Sequence, residues 1–583
     1  MIRTSRRAFL GLVPALAAMT ALGEAAKPPA RSKVVIIEPR SSAPRGELKF
    51  ALALCRHLKR WIESGGVTVD LVGDDAGDVF VGRRLAILVM CQNPGAGFLK
   101  SLKTFSQKGG RIISFYSTSG DIASLMGVKL GRWHNPKAGT YAEMSFFPGG
   151  PKGSPKAIAQ ASSSIFTASH IEGRSKTLAV WRNRRGESMN ESAIISSPQG
   201  WWVTHVFLAD GDERAKALFL LAAIGESVPG AWDYEKWARE DARRRAADVA
   251  FAKAQKPSPG EIVAVWDHSG QGLYPGDWAK TMRTLKVNHV TDIFVNVCGA
   301  GFAHFESKVL PRSKVVSAEG DQLKAAIAAA RGTGVRVHAW MIVFNATRAV
   351  PGQLQLLDGM CARLRDPAQE GKWSEYLDPS SPVLRDYLLR AMEDLVSRYP
   401  VDGLHLDFIR WYEKIDAAEK TPATLARFFK ASKDHTRGAL LKWRARTIET
   451  FLSSARTRVK AIRPHIAFTT AVFGKYPASV DSVGQDWESW MDLGLVDRIV
   501  PMNYTEDMKT FSSWVARQGR TWAHARKTIA GIGVTANESR LTARQVMDQV
   551  LAARRARLAG VAFFDLDHTL VNEILPVLRQ GVI

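Results

Sequence analysis

The sequence predicts an α/β protein whose carboxyl-terminal part is a (β/α)₈ barrel. From residue 261 onward, eight apolar segments with strand-like composition follow one another, most of them separated by helix-like segments such as GDQLKAAIAAARGTG. Eight such units in about 320 residues fit a barrel of this kind, with a site at the carboxyl ends of the strands. A doubly wound open sheet is the alternative. The eight segments are EIVAVWDHS, HVTDIFVNV, VRVHAWMIVF, VDGLHLDFIRW, IAFTTAVFG, VDRIVPMNYTED, KTIAGIGV and GVAFFDLDH.

A separate α/β domain is predicted over residues 33–230. KVVIIE, VTVDLV, LAILVMC and RIISFYS alternate with amphipathic helical segments, which indicates a parallel sheet covered by helices. This part resembles the flavodoxin-type, glutamine-amidotransferase-like domains found beside many glycosidase barrels. Cys91 ends one strand, where a nucleophile could lie, but it lacks the glycine-flanked elbow of that family and a paired histidine. This departure from the family favours a structural domain.

The junction between the two domains is predicted over residues 231–260. A charged helical segment, DYEKWAREDARRRAADVAFAKAQ, is followed by KPSPGE, whose prolines and glycine interrupt helical structure. The barrel domain is therefore expected to span residues 261–583.

The amino terminus predicts export. Arg6 and Arg7 precede an apolar run to Leu22, and the segment SRRAFL resembles a twin-arginine signal. We expect cleavage after Ala25 and a periplasmic location; an uncleaved membrane anchor is the alternative. No later segment is long and apolar enough to span a bilayer.

Composition restricts the partners. The net charge of +24 favours contact with polyanions such as cell-wall polymers or anionic lipid surfaces. The basic residues are dispersed and form no nucleic-acid-binding module, which favours a generic solvated basic surface instead. The four cysteines are far apart without ligand-like spacing, and we predict buried free thiols. We expect no cofactor and no metal, and the sequence does not indicate an oligomeric state.

The fourth predicted strand, YPVDGLHLDFIRW, carries the main catalytic candidate. Alternation places His405 and Asp407 on one face, toward the barrel interior, and leucines and phenylalanine on the other. Asp402 has the opposite parity and precedes a glycine, which favours a turn or capping role. We predict catalysis for Asp407, because it ends a barrel strand; an ion pair with Arg410 or His405 is the alternative.

Motifs in this region resemble the glycosyl hydrolase-like family ten, also called the domain-of-unknown-function 187 group. YLDPSSPVLRDYL, YPVDGLHLDFIRW and QDWESWMDLGLVDRIVPMNY occur in the family's order, and the resemblance extends from about Ile262 to Asp567. It implies a barrel acting on carbohydrate, and one branch of the family acts on peptidoglycan glycan strands.

Resemblance to better-understood barrels identifies Asp407 but not its partner. DGLHLD is similar to strands of α-amylases and chitinases that share an aspartate at this position, whereas the proton donor of neither family has a counterpart. Glycoside cleavage needs such a donor. We predict Glu506, because the Met-x-Tyr spacing before it is similar to a chitinase strand. A solvated loop glutamate is the alternative reading, and Asp267, Asp565 and Asp567 are the other candidates.

Several residues are predicted to bind sugar rather than to react. Rings near strand ends can stack on sugar faces, although any one tryptophan can equally be core packing. His338 and His405 lack a third ligand with zinc-site spacing. The predicted substrate-binding residues are His405, Arg410, Asn503, Tyr504, Trp340 and Asp267, with Trp266 and Trp411 also near strand ends.

Together these observations predict an exported glycoside hydrolase acting on a cell-envelope amino-sugar polysaccharide, with peptidoglycan favoured. The alternatives are a carbohydrate-binding or scaffolding barrel without turnover and a hydrolase of a secreted exopolysaccharide.

Overall fold

The carboxyl-terminal part of the chain closes into a barrel of eight parallel strands in this computed structural model. The first barrel strand pairs with both the second and the eighth, placing Ala264 beside Asp292 and Ile262 beside Gly560. This closure confirms the predicted barrel and excludes the open sheet. The structure describes residues 31–44, 46–136, 139–208, 211–360, 362–368, 372–414 and 416–583.

All eight predicted barrel segments contain a strand, although most strands are shorter than the segments. The fourth strand, for example, ends at Asp407, and the following residues turn away from the sheet. Short strands also occur in the loops after the second and third barrel strands. The barrel strands are β12 (Ile262–Asp267), β13 (Asp292–Gly299), β15 (Arg336–Ile342), β18 (Gly403–Asp407), β19 (Ala467–Phe473), β20 (Arg498–Met502), β21 (Ile529–Gly533) and β22 (Gly560–Phe564), and the loop strands are β14 (Phe302–Ala303), β16 (Arg363–Arg365) and β17 (Trp373–Leu377).

Helices surround the barrel and bury their apolar faces against the outer side of its strands. They are α6 (Trp278–Val287), α7 (Lys314–Glu319), α8 (Gln322–Ala330), α9 (Gln353–Gly359), α10 (Pro382–Arg398), α11 (Asp416–Glu419), α12 (Pro422–Ala431), α13 (Arg437–Ile462), α14 (Ala478–Val483), α15 (Trp487–Asp492), α16 (Met508–Gln518), α17 (Trp522–Arg526), α18 (Ala543–Arg555), a π-helical turn (Leu570–Ile574) and α19 (Leu575–Leu578).

The barrel interior is filled by side chains rather than forming a pore. Trp266, Phe294 and Trp340 pack there with small and branched residues of the facing strands. Because successive side chains of a strand alternate between interior and exterior, the inward residues nearest the carboxyl ends form the floor of the barrel mouth.

The amino-terminal domain contains a nine-stranded mixed sheet in the order β2-β1-β3-β4-β11-β10-β9-β6-β7. The first five strands in this order are parallel, which confirms the predicted alternation of strands and helices, and the remaining ones pair antiparallel. The strands are β1 (Val34–Glu38), β2 (Asp70–Gly73), β3 (Leu85–Val89), β4 (Arg111–Phe115), β5 (Val128–His134), β6 (Tyr141–Phe146), β7 (Ala157–Ser162), β8 (Ile165–His170), β9 (Lys176–Arg182), β10 (Ser188–Ser197) and β11 (Gly200–Val203), and the helices are α1 (Leu48–Glu63), α2 (Ala96–Gln107), α3 (Gly120–Leu125), α4 (Glu213–Ser227) and α5 (Tyr234–Lys253).

The two domains touch along one side of the barrel. Helix α5, the predicted charged helix, packs against α18 and α19. Glu213 at the start of α4 lies 3.1 Å from Arg60 of its own domain and 3.2 Å from Arg540 in the loop after β21. Arg184 forms a further ion pair with Glu319. The amino-terminal domain therefore borders the loops at the carboxyl ends of the barrel strands.

Three of the four cysteines confirm the predicted free thiols. Cys55, Cys91 and Cys298 are buried and unpaired, and burial raises the pKa of Cys91 to about 12, which disfavours a nucleophilic role. Cys361 and the predicted export signal at residues 1–25 lie outside the described residues. Within the described ranges, no helix combines the length and apolarity needed to cross a bilayer.

Candidate active site

Asp407 occupies the end of β18, on the side of the strand that faces the barrel interior. Only 6% of it is exposed, and its carboxylate accepts a 2.6 Å hydrogen bond from the N–H of Phe408. Phe408 adopts a positive φ of 49°, so the chain turns sharply out of the strand at this point. The strand therefore presents a buried carboxyl at the barrel mouth, as alternation predicted.

Two side chains adjust the charge of Asp407. Burial raises the pKa of its carboxyl, and the Arg410 guanidinium, 3.8 Å away, opposes that shift. Arg410 is itself buried between the rings of Phe408 and Phe473, with two nitrogens that lack hydrogen-bond partners among the described residues. The Trp340 indole also lowers this pKa, yet its Nε1–H has no acceptor within hydrogen-bonding distance there. These N–H groups are buried beside the Asp407 carboxyl and have no hydrogen-bond partner among the described residues.

Tyr504, just beyond β20, lies close to Asp407. Burial and the charges of Asp407 and Asp565 raise the pKa of its hydroxyl well above the usual value, so it stays protonated. Its ring stacks on Phe564 with centroids 5.4 Å apart and meets Trp266 edge-on at 6.4 Å. The hydroxyl makes no hydrogen bond to any other described residue and is free to donate to a ligand.

A continuous set of rings extends from the barrel core to the mouth, where Trp266 and Trp340 are buried, Tyr504 and Phe564 are partly exposed and His268 is exposed. His268 lies 5.9 Å from Trp340 and 5.9 Å from Phe564, and Phe564 in turn contacts Trp266 and Tyr504. Flat apolar surfaces beside carboxyls and N–H donors are what a pyranose ring binds, since its axial C–H groups stack on aromatic faces while its hydroxyls form hydrogen bonds.

Asp565 follows β22 and is the second carboxyl of the mouth. It is partly exposed, and one of its oxygens accepts a 3.2 Å hydrogen bond from the N–H of His268. Burial, together with the charges of Asp267 and Asp567, raises the pKa of Asp565 well above the usual value. This shift favours the protonated form of Asp565, which is the form that a proton donor needs.

Asp267 stabilises a loop. Only 1% of it is exposed, and its oxygens accept hydrogen bonds from Ser269, Gly270 and Gly272 at 2.6 to 3.2 Å. These bonds fix the turn that carries His268. A carboxyl with its lone pairs occupied by the loop is poorly placed to contact substrate.

His405 lies beneath the mouth rather than in it. It is fully buried and stacks on Phe294 at 4.1 Å, and its Nε2 accepts the indole N–H of Trp266 at 3.0 Å. The other ring nitrogen therefore carries the proton and donates to the Thr469 hydroxyl at 2.9 Å. Both nitrogens are occupied, so this placement favours a support for the floor over the predicted contact with sugar.

The side chains of Asn503 and Glu506 bond residues other than Asp407. Asn503 is fully buried in a reciprocal amide pair with Gln518, at 2.8 and 3.1 Å. Glu506 is exposed and accepts a 2.9 Å hydrogen bond from the N–H of Arg540, on the side that borders the amino-terminal domain. No contact joins Glu506 to Asp407 or Tyr504 within the described ranges, so the geometry favours Asp565 as proton donor.

Sequence reasoning missed three contributors to the mouth. His268 and Phe564 are positioned by the first and eighth strands. Each is adjacent in sequence to a strand-end aspartate, and this adjacency could have indicated a place at the mouth. Glu538, in the loop after β21, raises the pKa of Tyr504 through its charge and carried no recognisable motif. Nε2 of His338 lies 2.7 Å from a carboxylate oxygen of Asp292, and Nδ1 is buried without a hydrogen-bond partner among the described residues. Among the described residues, no group of three metal-ligating side chains occurs.

A closed (β/α)₈ barrel with carboxyls and rings at the carboxyl ends of its strands is the architecture of glycoside hydrolases. Residues 273–548, most of the barrel, match the family model described as glycosyl hydrolase-like 10. The barrel region is therefore similar to the family that its motifs predicted.

Curated relatives carry the same kind of domain. The glycosyl hydrolase DigH of Escherichia coli K12 is 24% identical over 249 residues, which cover 37% of this chain and 54% of that protein. The glycosyl hydrolase YngK of Bacillus subtilis is 25% identical over 144 residues, 22% of this chain and 28% of that protein. This chain thus spans about half the length of the first of these relatives.

Among solved structures, the PgaB (BpsB) glycoside hydrolase domain from Bordetella bronchiseptica is similar with a TM-score of 0.41 and 16% identity. The match covers 55% of this chain and 98% of that domain.

Proposed function

We propose that this protein is an exported glycoside hydrolase that cleaves an amino-sugar polysaccharide of the cell envelope, with peptidoglycan glycan strands as the favoured substrate. One observation carries the proposal: Asp407 and Asp565 both lie close to Tyr504 in a mouth lined by aromatic rings. The match to the family model supports the reaction class. The basic composition and the signal-like amino terminus support an anionic envelope polymer as target and the periplasm as location.

In this proposal Asp565 donates the proton to the leaving oxygen, and Asp407 stabilises the developing positive charge at the anomeric carbon. Asp407 acts either as nucleophile or by orienting the substrate's own acetamido group. Arg410 supports the stabilisation of positive charge by Asp407, because the guanidinium favours the ionised form of that carboxyl. The Tyr504 hydroxyl lies close to both carboxyls and would donate a hydrogen bond to the substrate. Glu506 is thereby replaced as the proposed donor.

The test measures soluble sugar released from purified peptidoglycan, with and without its stem peptides. The variants Asp407→Asn and Asp565→Asn are compared with protein lacking residues 1–25, and each is expected to lower kcat/KM about 10² to 10⁴-fold. Asp386→Asn, an exposed carboxyl on the outer helix α10, is the matched control and should retain full activity. The Asp565 variant should also lose the decline in rate at high pH that titration of a proton donor produces.

Different outcomes separate the alternatives. If the protein and both variants bind the glycan without cutting it, a carbohydrate-binding barrel replaces the hydrolase. If peptidoglycan is neither bound nor cut, a secreted exopolysaccharide becomes the substrate to test. If Glu506→Gln abolishes turnover while Asp565→Asn does not, Glu506 is the donor.

For the amino-terminal domain we propose a flavodoxin-type, amidotransferase-like fold without catalysis of its own. The parallel order β2-β1-β3-β4 supports this proposal, and the buried Cys91 thiol with its raised pKa agrees with a structural role.

A further inference from the structure

Arg348, in the loop after β15, is a cation at the rim of the mouth. Its Nη1 donates to the backbone oxygen of His268 at 3.1 Å, and its Nη2 contacts Nε2 of His304 at 3.2 Å. The guanidinium lies 4.8 Å above the ring of Phe302. Three loops, those after the first, second and third barrel strands, therefore meet at this side chain.

No carboxylate neutralises Arg348 within the described residues. Burial lowers its pKa and the field of Asp267 opposes that shift, but the Asp267 oxygens are occupied by their own loop. Burial and the Arg348 charge lower the pKa of His304 to about 3, so His304 is neutral and accepts the hydrogen bond. Arg348 is partly exposed, so the N–H groups that have no protein partner are accessible to an anionic ligand.

The position of Arg348 relates it to the proposed substrate. The carbonyl that it binds belongs to His268, whose ring contacts Trp340 and Phe564 on the floor of the mouth. A sugar that contacts the exposed ring of His268 and the partly exposed ring of Phe564 would hold its substituents beside the guanidinium. Two of its five N–H groups are used by His268 and His304, which leaves others for a bidentate contact with a carboxylate.

We propose that Arg348 binds a carboxylate on the glycan and so selects acidic sugars over neutral ones. The inference rests on the proposed function, since it assigns a substituent to the same substrate. Two sugars supply the required chemistry: muramic acid, whose lactyl carboxylate is free when stem peptides are absent, and uronic acids.

The experiment compares peptide-free peptidoglycan strands with the same strands after chemical reduction of their carboxylates to alcohols. For the protein lacking residues 1–25, kcat/KM should be about tenfold higher on the acidic strands, the effect of one charge-assisted contact. Arg348→Gln should bring this ratio close to one, and Arg348→Lys should retain part of it. Arg390→Gln, an exposed arginine on α10, is the matched control and should keep the full ratio. A uronate-containing polymer, assayed in parallel, distinguishes the two sources of carboxylate.

If Arg348 only holds the three loops together, its replacement lowers kcat/KM on both glycans alike and leaves their ratio unchanged. That outcome overturns the inference and leaves the hydrolase proposal intact, as does a wild-type ratio near one. If Arg348→Gln does not fold, the Lys variant and the decrease of the wild-type ratio with salt decide the question. If the protein cuts neither glycan, the hydrolase proposal fails, and equal affinity for the two glycans by calorimetry would overturn the inference separately.

Discussion

Asp407 is tolerated inside the barrel because its neighbours replace part of the water it has lost. The N–H of Phe408 and the charge of Arg410 stabilise the ionised carboxyl, while burial favours the neutral form. The net effect raises the pKa of the carboxyl, and carboxyls perturbed by burial and a specific charge partner are concentrated at functional sites.

Tyr504 offers a prediction at the scale of one atom. Tyr504→Phe removes a protonated hydroxyl without other partners, so we expect kcat on peptidoglycan to fall about 10 to 100-fold with little change in KM. Thermal unfolding should be unchanged, because no hydrogen bond within the described residues is lost. Tyr234→Phe on helix α5 serves as the control. A full rate for Tyr504→Phe would show that the hydroxyl takes no part in the transition state.

Single residues also show how far sequence reasoning reaches. Alternation along β18 correctly predicted that Asp407 and His405 face inward and that Asp402 has another role, since Asp402 accepts a 2.8 Å hydrogen bond from the N–H of Val337. Alternation fixes the face of a strand but not the depth at which a side chain lies. His405, two residues from Asp407, is therefore one layer below the mouth, where only packing against Phe294 reveals it.

At the scale of elements, the opposite end of the barrel is held by charge. Asp292 at the start of β13 bonds Arg336 at 2.6 and 2.8 Å and His338 at 2.7 Å, both on the neighbouring strand β15. Burial alone would raise the pKa of Asp292, but these hydrogen bonds hold it well below the usual value. The ion pairs join two barrel strands far from the mouth and contribute to stability rather than to chemistry.

This arrangement predicts a pH-dependent loss of stability. Asp292→Asn should lower the free energy of unfolding by about 3 kcal/mol at pH 7, because a buried ion pair loses one partner. Since the native pKa is depressed, the carboxylate contributes fully above its unfolded pKa of about 4, and the contribution disappears as pH falls through the native pKa. The difference from wild type should therefore shrink below about pH 4. Denaturant unfolding at several pH values measures this difference in free energy, and Asp386→Asn is the control. A difference that does not change with pH would show that the ionised Asp292 carboxylate is not the source of the stability.

Strand ends explain why the proposed proton donor was harder to predict. Strand β20 ends at Met502, so Glu506 lies four positions into a loop where alternation no longer determines direction. The loop turns this carboxyl toward the N–H of Arg540, whereas Asp565 directly follows its strand and stays at the mouth. The alternation of side chains predicts their direction within a strand and for the residue directly after it, but not for residues further into the loop.

At the scale of the whole molecule, the amino-terminal domain braces the loops that build one side of the mouth. Glu213 joins Arg60 of its own domain to Arg540, and the same arginine holds Glu506 through its backbone N–H. The loops after β20 and β21, which carry Tyr504 and Glu538, are thus connected to the second domain by one ion cluster. Sequence patterns predicted both domains, but a contact between elements more than 300 residues apart leaves no local pattern.

Glu213→Gln should loosen these loops without unfolding either domain. Because the cluster is partly exposed, we expect a loss of only about 1 kcal/mol in stability. Hydrogen exchange should accelerate several-fold in residues 503–507 and 534–541 while the barrel strands keep their protection. Glu235→Gln removes an equally charged but exposed partner of Lys152, distant from the cluster, and should change neither quantity. If exchange in the two loops is unaffected by Glu213→Gln, the amino-terminal domain does not position the mouth, and its contact with the barrel serves only to hold the domains together.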